Sequence, residues 1–168
     1  INAHANRENG QNTHHQELTR INKAIRDGEF QKNPVLLAAF DEAKIRNSKV
    51  HFIGLVSEGG VHSSQAHLHT LCDMASAYGL EKVFVHAFTD GRDCDPKSGL
   101  GFIQKLEQHL QTGTAKIASI IGRYYAMDRD KRWERVAKAY DLLTKGVGIH
   151  ATSASEAVKE SYQKGVTD

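Results

Sequence analysis

Three loops of this sequence carry arginine, histidine, carboxylate and glycine residues directly after apolar runs. They are residues 57–62 with Glu58 and His62, residues 90–93 with Arg92 and Asp93, and residues 122–129 with Arg123 and Arg129. Arginine presents a planar fork of donors that matches phosphate or carboxylate, and glycine lets a backbone approach a ligand closely. An aspartate beside an arginine could orient it, or exchange a proton with a bound hydroxyl. These residue types predict a site for a small ligand with several negative charges.

The first two loops also have a purely structural interpretation. Gly59 and Gly60 could form only a tight turn, and His62 could be a surface or capping residue. Arg92 and Asp93 could form a local ion pair. The anion site is favoured because all three loops occupy the same kind of position, at the end of an apolar run.

The elements that position these loops follow from the alternation of two patterns. Apolar runs at residues 49–56, 82–89 and 116–121 predict strands, and helical patterns cover residues 18–28, 34–46, 63–78, 96–111 (with Asp95 as N-cap), 131–143 and 155–164. Strands alternating with helices predict a parallel sheet, and continuous apolar strands predict burial on both faces. We expect a three-layer, doubly wound α/β domain, with a mainly parallel sheet and helices on both faces, over residues 18–168. Ligands of such sheets bind beyond the carboxyl ends of the strands, so the three loops should converge.

Composition limits the class of protein. The 168 residues carry 22 basic and 20 acidic side chains, and their two cysteines show no metal-binding spacing. This balance disfavours a nucleic-acid coat, and no apolar run reaches the length of about 20 residues that a membrane helix needs. We expect a cytoplasmic protein without a nucleic-acid partner, a membrane partner or a metal site. Residues 1–17 are polar and predict a disordered or loosely docked arm.

Four stretches of the chain resemble the cofactor-independent (2,3-bisphosphoglycerate-independent) phosphoglycerate mutase family. They are ELTRINKAI at residues 17–25, GGVHS at 59–63, HAFTDGRD at 86–93 and GRYYAMDRDKRW at 122–133. The resemblance runs from about residue 17 to residue 168 and points to the inserted, substrate-holding domain of that family. It implies a glycolytic isomerase that interconverts 3-phosphoglycerate and 2-phosphoglycerate through a phosphoserine, with two manganese or magnesium ions.

The resemblance also assigns residues. It implies that the substrate is contacted by His62, Arg92, Asp93, Arg123 and Arg129. Asp93 matches the aspartate proposed to carry a proton to and from the glycerate hydroxyl. It is therefore the candidate catalytic residue, and the other four are candidate binding residues.

Departures from the family pattern limit what we expect of this chain alone. Counting back from Leu18 places the family's nucleophilic serine at or near Ile1, and His4, Asn9 and Gln11 stand at positions where the family has glycine. Glu17 and Glu58 replace aspartates, and the family's later Arg-x-x-Arg pair and remaining metal ligands are not found in this sequence. The expectation is substrate binding without full turnover, and no metal cofactor held by this chain.

Other functions stay open at this point. The chain could be a non-catalytic module that binds a phosphorylated metabolite, or a remnant domain with a structural role that assembles with itself. Its expected partners are phosphoglycerate together with either a phosphatase-like domain or a second copy of the chain. An exposed surface that another domain normally covers would favour such association.

Overall fold

The structure is a computed structural model that describes residues 17–168. Its elements are α1 (Glu17–Arg26), a 3-10 turn (Phe30–Lys32), α2 (Pro34–Ile45), β1 (Val50–Leu55), α3 (Gln65–Ala77), β2 (Val83–Thr89), α4 (Gly99–Leu110), β3 (Lys116–Gly122), α5 (Arg123–Ala126), α6 (Trp133–Lys145) and α7 (Ala154–Gln163). The polar arm expected over residues 1–17 lies outside the described residues, apart from Glu17, which begins α1.

The three strands form one parallel sheet in the order β1-β2-β3. Because spatial order follows chain order and parallel crossovers are right-handed, the two crossover helices α3 and α4 lie on the same face. A register irregularity between Val85 and His86 interrupts the pairing of β2 with β3. The α/β class with a parallel sheet is thus confirmed, and the loops after all three strands leave the sheet at one edge.

The core lies between β2 and the helices of that face. Val83, Val85 and Ala87 of β2 are at most 1% exposed. They pack in one cluster with side chains from four helices, among them Phe40 of α2, Ala75 of α3, Ile103 and Leu106 of α4, and Val158 of α7. Burying each large apolar side chain contributes about 1.5–3 kcal/mol, so this cluster anchors the strands whose ends carry the loops.

Burial on both faces holds for the central strand only. In β1 the burial alternates, and Ile53 is 58% exposed. On this second face His51 Nδ1 lies 2.8 Å from His86 Nε2, and His86 Nδ1 lies 2.7 Å from Ser119 Oγ. The prediction from apolar composition was wrong for β1, because composition alone does not distinguish a central strand from its neighbour at the sheet edge.

Several helix boundaries also differ from the expectation. Asp95 does not cap α4, which begins at Gly99 after Ser98; its side chain instead accepts a hydrogen bond from the Lys97 N–H at 2.9 Å. The short helix α5 directly after β3 was not predicted, and the apolar residues 147–151 form neither helix nor strand. Local side-chain bonding of Asp95 competes with helix capping, which explains the first difference.

The helices are short compared with a bilayer. The longest described, α3 and α6, have 13 residues each. A membrane helix needs about 20. Within residues 17–168, no helix combines the length and the apolar character needed to cross a membrane.

Candidate functional site

The loops that follow the three strands are tied together by side-chain hydrogen bonds. Ser57 Oγ, just after β1, donates to Asp90 Oδ2 after β2 at 2.8 Å. Arg123 Nη1, just after β3, donates to Asp90 Oδ1 at 2.8 Å and to Asp93 Oδ2 at 2.6 Å. The loops therefore converge at the carboxyl edge of the sheet, with Arg123 at their centre.

Arg123 and Asp90 are both buried. Arg123 is 8% exposed and Asp90 is 3% exposed. Burial alone would lower the pKa of Arg123, but its bonds to the two aspartates outweigh burial and raise that pKa. Burial would raise the pKa of Asp90, yet hydrogen bonds from the Asp93 N–H, Arg123, Ser57 and the Arg92 N–H hold it below its ordinary value. Both groups are therefore held charged.

The first loop approaches Asp93 closely. A Cβ added at Gly59 would lie 2.9 Å from Asp93 Cβ and 3.1 Å from the Asp93 carbonyl oxygen. Gly60 has φ +66°, the left-handed conformation that favours glycine. The glycine pair thus makes a turn and also gives the loop room beside Asp93. His62 follows this turn, half exposed, with Nε2 at 3.8 Å from Asp93 Oδ2.

Among residues 17–168, Arg92 contributes its backbone and not its side chain to the hydrogen bonds of this edge. Its side chain is exposed, while its backbone N–H donates to Asp90 Oδ1 at 3.2 Å and the Asp93 N–H donates to the same atom at 2.9 Å. Asp93 pairs with Arg123, and none of the ion pairs within residues 17–168 joins it to Arg92. The alternative of a local Arg92–Asp93 pair therefore does not describe this loop.

Arg129 is exposed in the loop before α6. The loop is shaped by its neighbour Asp128, whose carboxylate accepts from the Asp130 N–H at 3.2 Å, the Arg132 N–H at 2.9 Å and Arg135 Nη1 at 3.2 Å. Of the five sequence-predicted residues, the structure brings His62, Asp93 and Arg123 together. Among the hydrogen bonds of the described chain, none joins the Arg92 or Arg129 side chain to that group.

Two further residues shape the site: Asp90, which the sequence prediction placed in the second loop without a role, and Asp168, which it did not select. Asp90 gathers four hydrogen bonds at the centre of the loops. Its position as the first polar residue after β2 was the available signal. Asp168 accepts from the Arg123 N–H at 2.8 Å and from the Gly91 N–H at 3.2 Å. No local pattern marked Asp168, because its partners lie far away in the sequence.

The described residues do not suit a divalent metal. Within residues 17–168, no group of three or more histidine, cysteine, aspartate or glutamate side chains is arranged to hold an ion. Two carboxylates at this edge, Asp90 and Asp93, are both bound by Arg123. The chemistry that this edge offers is anion binding by arginine and proton exchange at a carboxylate.

A family model and two curated relatives place this chain in the same family. The family described as BPG-independent PGAM N-terminus matches residues 21–168. A 2,3-bisphosphoglycerate-independent phosphoglycerate mutase of Bacteroides fragilis is 58% identical over 154 residues, which are 92% of this chain and 31% of that protein. The corresponding protein of Clostridium novyi is 54% identical over 155 residues, or 92% of this chain and 30% of that protein.

A solved structure that matches this chain is also a phosphoglycerate mutase. Leishmania mexicana phosphoglycerate mutase, crystallised at low cobalt concentration, superposes with a TM-score of 0.79 and 32% identity over 88% of this chain and 28% of that chain. The chain thus spans about 30% of the length of the curated relatives it matches. Because the family match covers nearly all of the described residues, the chain belongs to the BPG-independent phosphoglycerate mutase family, whose N-terminal region it matches.

Proposed function

We propose that this chain binds 3-phosphoglycerate or 2-phosphoglycerate at the carboxyl edge of its sheet, as the substrate-holding part of a glycolytic phosphoglycerate mutase. The observation that carries the proposal is the buried Arg123, which joins Asp90 and Asp93 beside the half-exposed His62. The loops on either side expose Arg92 and Arg129. These two exposed guanidinium groups are available to a ligand with several negative charges, while Arg123 is bonded to the two aspartates.

The two exposed arginines and the buried one have different roles. Arg92 and Arg129 have exposed side chains that can close on a phosphate or carboxylate with paired donors. Arg123 is committed to the aspartates by bonds of 2.8 and 2.6 Å, so its main task is to fix Asp93. His62, at 3.8 Å from Asp93, would supply a further donor to the ligand.

Asp93 is the proton carrier in this proposal. Within residues 17–168, the hydrogen bond to its side chain ends on Oδ2, which leaves Oδ1 for a substrate hydroxyl. The carboxylate would accept the glycerate hydroxyl proton as that oxygen becomes the nucleophile, and return a proton to the other oxygen. Arg123 holds the carboxylate in place throughout.

The phosphate transfer itself is assigned to groups outside the described residues. It needs a nucleophile and charge neutralisation, which the family resemblance attributes to a serine and a manganese or magnesium pair in a phosphatase-like domain. The proposal is therefore that this chain holds substrate without completing turnover. Adding such a domain in trans should restore isomerisation, and Asp93→Asn should abolish that activity with little effect on binding.

Calorimetric titration with 3-phosphoglycerate at low salt tests the binding proposal. Arg92→Ala should weaken binding by about 1.5–3 kcal/mol, the range for charged hydrogen bonds, or about 10- to 150-fold. The matched control is Arg46→Ala, which removes an exposed arginine that pairs with Glu42 at the end of α2. Equal affinities for wild type and Arg92→Ala would reject the substrate-site assignment.

A further inference from the structure

The side chain of Asp168 lies between the ends of β2 and β3. Its Oδ1 accepts from the Arg123 N–H at 2.8 Å, and its Oδ2 accepts from the Gly91 N–H at 3.2 Å. The Thr89 hydroxyl donates to Oδ1 at 3.4 Å. One carboxylate therefore bonds to the backbone of both loops that carry the candidate site arginines.

Two glycines make room for Asp168. A Cβ added at Gly122 would lie 2.3 Å from the Asp168 carbonyl carbon and 2.8 Å from Oδ1. One added at Gly91 would lie 3.0 Å from Asp168 Cβ. Neither close contact involves the candidate ligand residues. The absence of a side chain at Gly91 and Gly122 is therefore explained by the space that Asp168 occupies.

The two amide groups that Asp168 binds belong to residues at or beside the charged groups of the site. Gly91 separates Asp90 from Arg92, and Arg123 donates through its own guanidinium to Asp90 and Asp93. Burial raises the pKa of Asp168, while the bonds from Gly91 and Arg123 oppose that rise. A displacement of either amide would move an arginine and the Asp90–Asp93 pair together.

We propose that Asp168 is a positioning residue for the phosphoglycerate site. It acts through the backbone of Gly91 and Arg123 and does not itself touch the substrate. The part of the proposal that concerns affinity rests on the proposed function. The part that concerns the backbone of the two loops does not, so the two can fail separately.

Amide hydrogen exchange of the ligand-free chain tests the backbone effect. In Asp168→Ala, exchange at Gly91 and Arg123 should accelerate about tenfold or more, because both acceptors are lost. Asp168→Asn keeps one acceptor oxygen and should give an intermediate acceleration. The reference is the Val56 amide, bonded to the Phe88 carbonyl at 2.9 Å, whose exchange should not change.

Unchanged exchange at Gly91 and Arg123 in Asp168→Ala would overturn the proposal. Equal acceleration at Val56 would overturn it too, because the effect would then be global loosening. Glu160→Ala, which removes an exposed carboxylate on α7, is the matched control and should leave all three amides unchanged.

Titration with 3-phosphoglycerate adds the functional readout. Affinity should fall about tenfold or more in Asp168→Ala and be partly rescued in Asp168→Asn, in the same order as the exchange rates. Faster exchange in Asp168→Ala with unchanged affinity would overturn the positioning role. Absence of binding by the wild type would instead reject the proposed function, and the exchange rates would still decide whether Asp168 holds the loops.

Discussion

At the scale of single residues, the site depends on one buried cation shared by two carboxylates. Arg123 is 8% exposed and bonds to Asp90 and Asp93 at 2.8 and 2.6 Å. Breaking a buried pair by removing one partner costs more than the pair itself contributes, because the remaining charge is left buried without compensation. Arg123 therefore carries stability as well as any role in binding.

Arg123→Ala should lower the free energy of unfolding by about 3–5 kcal/mol, because Asp90 and Asp93 would lose their shared partner. Urea unfolding measures this change. The exposed Arg46→Ala should cost less than about 1 kcal/mol, as expected for a surface pair. Similar losses in the two variants would show that the buried pair is no more important than a surface one.

Gly59→Ala should disturb the site through contact alone. The added Cβ would lie 2.9 Å from Asp93 Cβ, so the loops must separate, at a cost of about 1–3 kcal/mol in stability. Gly101→Ala is the control, because among residues 17–168 no atom lies within 4 Å of a Cβ added at this position in the first turn of α4. It should stabilise the chain by about 0.4–1 kcal/mol. Thermal unfolding of both variants checks the opposite signs.

The sequence predicted the residue types at this edge and missed how they pair. Arg123 and Asp93 could be selected from their loops, but their shared bond with Asp90 depends on three-dimensional spacing. Asp168 could not be found at all, because it meets Arg123 across 45 positions of sequence. Long-range contacts of this kind leave no local pattern.

At the scale of elements, the start of α2 agrees with its capping residue in the sequence, whereas the start of α4 does not. Asn33 caps α2 as its position before Pro34 suggests, accepting from the Val35 N–H at 2.9 Å and the Leu36 N–H at 3.3 Å. Asp95 has the same arrangement before Pro96, yet its side chain closes a turn and α4 starts three residues later than expected. A similar local signal, Asn-Pro in one case and Asp-Pro in the other, thus has two structural outcomes.

Asn33→Ala should destabilise the chain by about 0.5–2 kcal/mol, because two amide groups at the start of α2 lose their acceptor. Ser64, the residue before α3, makes no side-chain capping bond, so Ser64→Ala should have a smaller effect. Chemical denaturation of the two variants gives the comparison. An equal or larger loss in Ser64→Ala would contradict the assignment of the cap.

At the scale of the whole molecule, three partly buried histidines, two on α3 and one on β2, make stability depend on pH. Burial lowers the pKa of His67, His69 and His86 below the ordinary value of 6.5, and the nearby His109 and His51 lower the pKa of His69 and His86 further. In each case the folded state binds a proton less readily than the unfolded chain. Stability from these groups is therefore present above pH 6.5 and is lost as the pH falls below it.

The midpoint temperature of thermal unfolding should accordingly be lower at about pH 5.5 than at about pH 7.5. His86→Gln should reduce the slope, since it removes one of the three groups with a lowered pKa. His150→Gln, a change at an exposed residue, should leave the slope as it is. A midpoint that rises over this interval would contradict the sign derived from burial.

The partners and the cellular location of the chain are predictions that concern the whole molecule. The chain spans about 30% of the length of its curated relatives, and Ile53 of β1, on the second face of the sheet, is 58% exposed. Association with a phosphatase-like domain or with a second copy remains a prediction, as does cytoplasmic location. The α/β class could be predicted because apolar strand runs alternate with helical patterns in the sequence. The uneven burial of the strands could not, because it depends on the order of the strands in the sheet.

The most direct test of the account is a titration of the isotope-labelled chain with 3-phosphoglycerate, followed by amide chemical shifts. We predict saturable shifts confined to the loops after the three strands, including Gly59, Arg92, Asp93 and Arg123, and weaker shifts at equal concentrations of glycerate, which lacks the phosphate. Saturable shifts centred instead on His51, Ile53 and Ser119, on the second face of the sheet, would contradict the placement of the site. So would a complete absence of shifts.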